Sequence, residues 1–408
     1  MTVTIDDIRA AAESISGEVV ETPLVRSGGL SDLLGAEIYL KLETLQRTGS
    51  FKDRGALVKL KSLKEKAAKA GVIAISAGNH AQGVAYHAQR LGIPATIVMP
   101  KGTPFTKVIH TEAFGANVIL HGDNVNEAEP FADEMAAQDG LTFIHPYDDP
   151  RIVAGQGTIA IEMLDAVPDL DVIVVPIGGG GLISGVATAA KALRPDIGIV
   201  GVEAELYPSM YQALSGLPPS SGGETIAEGI AVKTPGELTL EIVRALVDDI
   251  VLVDEAELEA AVQVMIEEAK VLAEGAGAAP LAAIVQELER FAGRKVGIVV
   301  GGGNIDSRLL ASVLMRGMVR AGRMARLRVT ISDQPGTLAQ IAQRIGDTGG
   351  NIVEIVHQRM FYDVPVKLAE ADIVVETRDE SHIQEIIAQL AAAGFPTVRL
   401  DDTATRNP

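Results

Sequence analysis

Lys52 lies in the stretch Thr48-Gly49-Ser50-Phe51-Lys52-Asp53-Arg54-Gly55-Ala56. Upstream, Glu37 to Glu43 alternates with the period of a strand, and downstream Ala56 to Leu63 reads as a helix. The lysine therefore falls on the first turn of a helix, where the positive end of the dipole disfavours an ammonium. A neutral lysine amine is a nucleophile that forms Schiff bases with carbonyl compounds. On charge alone the reading of Lys52 as a solvated lysine wins, because acidic residues are the commoner choice in a first turn. Three further corners of the chain favour chemistry.

The first is Ser76-Ala77-Gly78-Asn79-His80, which ends a strand and opens a helix. Its free amide groups can hold a carboxylate, although Asn79 is also an ordinary helix cap. His80 has no obvious metal partner and reads as a positioned or buried histidine. The second is Gly178-Gly179-Gly180-Gly181, between strand 171–177 and helix 182–193. Four glycines at a helix start offer unpaired amides around a concavity that suits a phosphate. One glycine suffices for a tight turn, and four are costly in backbone entropy without a ligand. A dinucleotide site competes, with Glu203 about 20 residues on, but no run satisfies G-x-G-x-x-G, since Ser184 stands sixth from Gly179. The third is Gly301-Gly302-Gly303-Asn304, after strand 295–300. An amine nucleophile, a carboxylate nest and a phosphate nest on one sheet edge make a site for pyridoxal phosphate and an amino acid.

The elements that must position these corners alternate strand and helix. Strands at 72–76, 95–99, 117–120, 142–144, 171–177, 198–204, 249–253 and 295–300 are short apolar runs, with helices near 79–91, 105–114, 125–138, 151–165, 182–193, 255–273 and 278–291. An opening helix is expected over 4–17 and a closing one over 306–321, with an irregular loop from Leu217 to Gly236. Continuous apolar strands alternating with helices predict an α/β fold with mostly parallel sheets covered on both faces, and ligands at the carboxyl ends of the strands. The style then changes. Residues 327–400 read strand, helix, strand, strand, helix, strand, the ferredoxin-like βαββαβ order. The expected division is a catalytic domain over 1–322, with a smaller lobe at about 45–150 inserted in the larger, a basic linker at 323–326 and a regulatory domain over 327–408.

Of the 408 residues, 47% are hydrophobic and 3% aromatic, enough for a large aliphatic core. The absence of Cys excludes disulfides, thiolate metal sites and a cysteine nucleophile. A formal net charge of −19 speaks against nucleic acid and anionic membrane as partners. No apolar run reaches the ~20 residues of a membrane helix, and the first residues lack the regions of a signal peptide. The expectation is a soluble, cytoplasmic protein.

The motifs at Ser50 to Ala56, Ser76 to Gly83, Gly178 to Gly181 and Gly301 to Asp306 resemble those of the serine/threonine dehydratases, pyridoxal-phosphate enzymes of the tryptophan-synthase-β fold. The likeness runs from about residue 5 to 320 with every motif in order, and the tail resembles an ACT domain, an amino-acid-sensing module. The resemblance implies two open α/β lobes and a threonine ammonia-lyase activity giving 2-oxobutanoate and ammonia, with serine to pyruvate as a side activity. It implies that Lys52 holds pyridoxal 5'-phosphate covalently and then removes the substrate α-proton. Phe51 would pack beside the ring, Asn79 would bond its phenolic oxygen, and Gly178, Gly179, Gly180 and Gly181 would cradle its phosphate. Ser76, Ala77, Gly78, Asn79 and His80 would surround the substrate carboxylate. It also implies a homo-oligomer, dimer or tetramer.

Three positions depart from the family. Many relatives carry a Ser at the place of Gly301, where its hydroxyl meets the pyridine nitrogen. Serine racemases carry a Ser base at the place of Ala77, so Ala77 favours elimination over racemisation. Racemase-like relatives bind a divalent cation near Glu203; here Glu203 keeps the first metal ligand while Tyr207 and Ser209 follow and the second carboxylate is missing. In the tail, Asp333, Gln334, Pro335 and Gly336, with Asn351 and Ile352, mark the turns near which such domains bind an amino-acid effector, between two copies. Isoleucine or valine would suit a biosynthetic enzyme of the isoleucine route. A dimerising domain without a ligand is the alternative there. For the whole chain, the alternatives are a dehydratase of serine or 3-hydroxyaspartate, a nicotinamide-dependent oxidoreductase using the glycine loops, and a non-catalytic amino-acid sensor.

Overall fold

The computed structural model describes residues 3–358 and 367–400, and its chain forms two compact units, 1–305 and 306–408. The first unit contains ten strands: β1 (Leu24–Arg26), β2 (Glu37–Leu42), β3 (Val72–Ile75), β4 (Ala95–Met99), β5 (Asn117–Leu120), β6 (Thr142–Phe143), β7 (Val172–Pro176), β8 (Gly198–Ala204), β9 (Asp249–Val253) and β10 (Lys295–Val300). They form a large sheet in the order β1-β2-β10-β7-β8-β9, parallel except for β1, and a small parallel sheet in the order β5-β4-β3-β6. Every residue of β3 and β7 is buried, as expected of parallel strands covered on both faces.

The chain leaves the large sheet after β2, forms helix Lys52–Lys61, builds the small sheet, and returns through helix Pro150–Ala166. Glycine sets how closely these helices stack. A Cβ on Gly155 would lie 2.6 Å from Gly55 Cα, and one on Gly185 would lie 2.5 Å from Gly157 N. The helices that begin at Lys52 and at Gly181 therefore both lie against helix Pro150–Ala166 at contacts with no room for a side chain.

Under the Lys52 helix sits a buried ionic cluster. Arg54 donates to both oxygens of Glu43 at 2.8 Å and to Glu162 Oε1 at 2.5 Å, and Lys41 pairs with Glu162 and donates to Thr22 O. Burial alone would raise the Glu43 pKa, but the Arg54 guanidinium holds it below the usual carboxylate range.

The second unit contains β11 (Met324–Ser332), helix Thr337–Asp347, β12 (Asn351–Gln358), β13 (Leu368–Glu376), helix Glu380–Ala392 and β14 (Thr397–Arg399), after helix Ser307–Arg320. The sheet is antiparallel in the order β12-β13-β11-β14, the expected ferredoxin-like arrangement. Residues 359–366 and 401–408, which the sequence assigns to this domain, lie outside the described residues.

Several expectations are corrected. The stretch read as a linker at 323–326 is largely strand, because the buried alternation Ala325, Leu327, Val329, Ile331 already begins there. Arg326 is the polar face of that strand and donates to Asp372 at 2.9 Å. The helix expected over 255–273 stops at Val264, passes into a π-turn (Met265–Ala269) and ends at Lys270 in the left-handed region, φ 58°. The helix expected over 278–291 begins at Gly275 and breaks at Glu287. Helices Ser209–Ser215 and Glu237–Leu246 were not foreseen. No described helix is long and apolar enough to cross a membrane.

Candidate active site

Lys52 opens its helix, as the sequence suggests, and its Nζ donates to Pro146 O at 2.8 Å. It stands 5.2 Å from the centroid of the Phe51 ring. Withdrawal from water pushes its pKa down to about 8, and the nearby Glu274 carboxyl opposes that shift. The low proton affinity foreseen from the helix dipole thus has burial as its main source.

Three corners are stitched together directly. Phe51 N donates to Gly301 O at 2.9 Å, Gly303 N donates to Gly49 O at 3.0 Å, and Ser50 bridges Gly302. Asn304 Nδ2 donates to Thr48 O and to Asn79 Oδ1, both at 2.7 Å, and Asn79 Nδ2 donates to Glu274 Oε1 at 2.7 Å. Asn79 is therefore not a helix cap; that position belongs to Gly78, and the Asn79 side chain is turned into a network with a fixed amide orientation. Gly302 protects this network, since a Cβ there would stand 2.6 Å from Glu274 Oε1 and 3.1 Å from Asn79 Nδ2. The main-chain amides of Ala77, Asn79 and His80 have no hydrogen-bond partner among the described residues, while that of Gly78 is taken by Ser76 Oγ at 3.1 Å. His80 is buried, with Nε2 2.9 Å from Ile144 O and its pKa pushed down to about 3 by burial, so it is a neutral, positioned histidine.

The glycine loop reaches the lysine through residues 144–149. The Tyr147 ring lies against Gly179, where a Cβ would meet ring carbons at 2.2 Å, and a Cβ on Gly181 would stand 2.9 Å from Tyr147 Cα. Gly180, at φ +93°, packs on Met210 and Thr239. Thr239 Oγ1 donates to Gly179 O at 2.7 Å. The protein's own packing thus demands glycine along this loop, beyond any ligand. The amides of Gly178, Gly179 and Gly180 still have no partner among the described residues, which is the pattern of an anion nest at the start of helix Gly181–Leu193.

Glu274 is the residue the sequence reading missed. It is half-buried, and burial pushes its pKa up to about 7. Its signal was an acidic residue directly before Gly275-Ala276-Gly277, at the start of a helix whose first two turns are buried.

Other expected residues fall elsewhere. Each Glu203 oxygen accepts a main-chain N–H at 2.8 Å, from Met210 and Tyr211, and burial pushes its pKa up to about 7. Its side chain thus serves the start of helix Ser209–Ser215, and no cluster of three or more His, Cys, Asp or Glu side chains that could hold a metal occurs among the described residues. A Cβ on Gly301 would stand 3.3 Å from the Phe51 ring, so glycine relieves that contact while giving the position no side-chain donor. In the second unit, Asp333 to Gly336 follow β11 at the end where Ser332 pairs with Leu368. Asn351 pairs with Glu376, which pairs with Met324 at the opposite end. One copy of the domain therefore does not gather the two expected effector turns.

The site fits pyridoxal phosphate: a half-buried lysine amine of lowered proton affinity, unpartnered main-chain amides and an oriented Asn79 amide share one edge. Residues 15–302 match the family described as "Pyridoxal-phosphate dependent enzyme", and residues 325–395 match the ACT domain. The chain is 44% identical over 395 residues to the L-threonine ammonia-lyase of Thermotoga maritima, covering 96% of this chain and 98% of that one. It is similar to the solved threonine deaminase isoform 2 of Solanum lycopersicum, with a TM-score of 0.73, 37% identity, and 77% and 87% of the two chains covered. It is similar also to the serine racemase of Dictyostelium discoideum, with a TM-score of 0.71, 36% identity, and 75% and 100% covered.

Proposed function

This chain belongs to the pyridoxal-phosphate-dependent enzymes and is an ammonia-lyase with a C-terminal ACT domain; we propose that it converts L-threonine to 2-oxobutanoate and ammonia, with L-serine to pyruvate as a side activity. The observation that carries this reading is the placement of the Lys52 amine, of lowered proton affinity, on the same edge as the free amides of Ala77, Asn79 and His80. Those amides would receive the substrate carboxylate and orient its Cα–H toward Lys52. The bound cofactor supplies an electron sink for the pair of electrons left at Cα. Lys52 would take the α-proton as general base; the electron pair left at Cα would then form a Cα–Cβ double bond as the β-hydroxyl, gaining a proton, leaves as water. Gly178 to Gly181 would hold the cofactor phosphate, Phe51 would flank the ring, and Asn79, fixed between Asn304 and Glu274, would present its amide to the ring oxygen. Ala77 has no proton to deliver to the opposite face of Cα, which favours elimination over racemisation. The nicotinamide reading loses its ground, since the glycine loop lies inside the matched region 15–302.

The ACT domain supports regulation by an amino acid. Because its two candidate turns lie at opposite ends of one sheet, a site using both requires a second copy, and hence a dimer or tetramer. The test of substrate choice is keto-acid release from threonine, serine and 3-hydroxyaspartate side by side, with chiral analysis of the remaining substrate. Threonine should turn over fastest, with the remainder all L. A clear preference for serine or 3-hydroxyaspartate, or the appearance of a D-isomer, would refute the proposal.

A further inference from the structure

Residues 144–149 form a strap that carries the chain from β6 into helix Pro150–Ala166 and touches His80, Lys52 and the glycine loop. Ile144 O meets His80 Nε2, and Pro146 O receives the Lys52 amine. Tyr147 covers Gly179 and Gly181 and donates its hydroxyl to Thr234 O at 3.0 Å. Asp148 accepts from Glu237 N and Thr239 N at 3.0 and 3.2 Å, at the start of the helix that supports the glycine loop. Asp149 pairs with Lys59 and caps helix Pro150–Ala166. The strap itself is folded around one side chain. His145 Nδ1 accepts the amide of Asp148 at 2.7 Å and that of Tyr147 at 3.2 Å. A ring nitrogen that accepts two N–H bonds carries no proton, so the turn exists only with His145 neutral and protonated at Nε2.

We infer that His145 is a positioning residue for cofactor capture: its unprotonated Nδ1 holds the strap in the form that sets the Lys52 amine and the phosphate loop in register. The inference rests on the pyridoxal-phosphate reading above. It extends that reading to a group that touches neither cofactor nor substrate. The imidazole packs edge-on against Phe143 and Tyr147. Withdrawal from water holds its pKa below the usual 6.5; Lys52 and Lys59 add to this, while Asp148 and Asp149 oppose it. A depressed histidine pKa means that the turn is present above the ordinary pKa and lost as pH falls through the folded value.

The test is titration of the apoenzyme with pyridoxal phosphate from pH 8 to 5, following affinity and the borohydride-trapped adduct, in the wild type, His145→Ala and His145→Asn. An asparagine Oδ1 can accept the same two amides in an Asx-type turn and does not titrate. His145→Ala should bind about tenfold more weakly across the range, the loss expected for two hydrogen bonds. His145→Asn should bind like the wild type at pH 8 and lose the extra steepening of the wild-type curve on the acid side. If His145→Asn is as impaired as His145→Ala, or if neither differs from the wild type, the inference is overturned. A wild type that forms no adduct at all overturns the cofactor reading and this inference with it.

Discussion

Asn79 Nδ2 donates to Glu274 Oε1 at 2.7 Å, joining the start of helix Asn79–Leu91 to a carboxyl that lies 195 residues later in the chain, just after a π-turn. The bond gives the amide one orientation, with its oxygen engaged by Asn304. It also places an acid of raised pKa near an amine of lowered pKa, which is the pattern of groups tuned for proton transfer.

Glu274→Gln keeps an acceptor for Asn79 and removes the charge. The folded protein holds the Glu274 proton between the ordinary pKa of 4.5 and about 7, so the wild type loses stability as pH rises through that window. The variant should therefore gain in thermal unfolding temperature relative to the wild type between pH 5 and 8. It should also react with pyridoxal phosphate at lower pH, because Glu274 opposes the lowering of the Lys52 pKa. Parallel pH profiles for the two proteins would contradict this role.

Gly179→Ala drives a methyl group into the Tyr147 ring, 2.2 Å from its carbons. Overpacking of this kind costs about 1–3 kcal/mol. Cofactor affinity and unfolding temperature should both fall. Adding Tyr147→Ala should restore part of the stability, as expected of residues in contact. Calorimetry of the two single variants and the double variant measures that coupling.

Arg54→Met leaves the fully buried Glu43 without its guanidinium. Breaking one partner of such a pair costs about 3–5 kcal/mol. Denaturant unfolding should show the loss, and a further Glu43→Gln substitution should recover part of it by removing the stranded charge.

Ending the chain at Gly322, ahead of β11, removes the complete tail sheet. A cut at the end of the expected linker, after Arg326, would leave the first residues of that strand behind. The shortened enzyme should keep its threonine activity and lose any response to isoleucine or valine. An unchanged response would show that regulation lies elsewhere.

The four glycine- and lysine-bearing corners were legible because buried parallel strands are plain apolar runs, and chemistry gathers where they end. The fourfold glycine run was read as the mark of a ligand, and the structure adds a packing cause in Tyr147, Met210 and Thr239. Glu274 and the 144–149 strap were not legible as site residues. One is separated from its partners by a π-turn that ordinary helix periodicity hides. The other works through main-chain groups and a histidine acceptor, which leave little trace in residue type. His145-Pro146-Tyr147-Asp148-Asp149 nevertheless sits at a strand-to-helix corner like the rest, and that placement was the available signal. Arg326 misled because a charged strand face and a basic linker look alike until the partner, Asp372, is known.

The central claim, that Lys52 carries the cofactor and moves the α-proton, is tested most directly by borohydride reduction of the holoenzyme followed by peptide mass analysis. The account predicts a yellow protein, bleached by reduction, with a single pyridoxyl adduct at Lys52, and a Lys52→Ala variant that forms neither adduct nor keto acid. An adduct on another lysine, or keto-acid release by the variant at the wild-type rate, would contradict it.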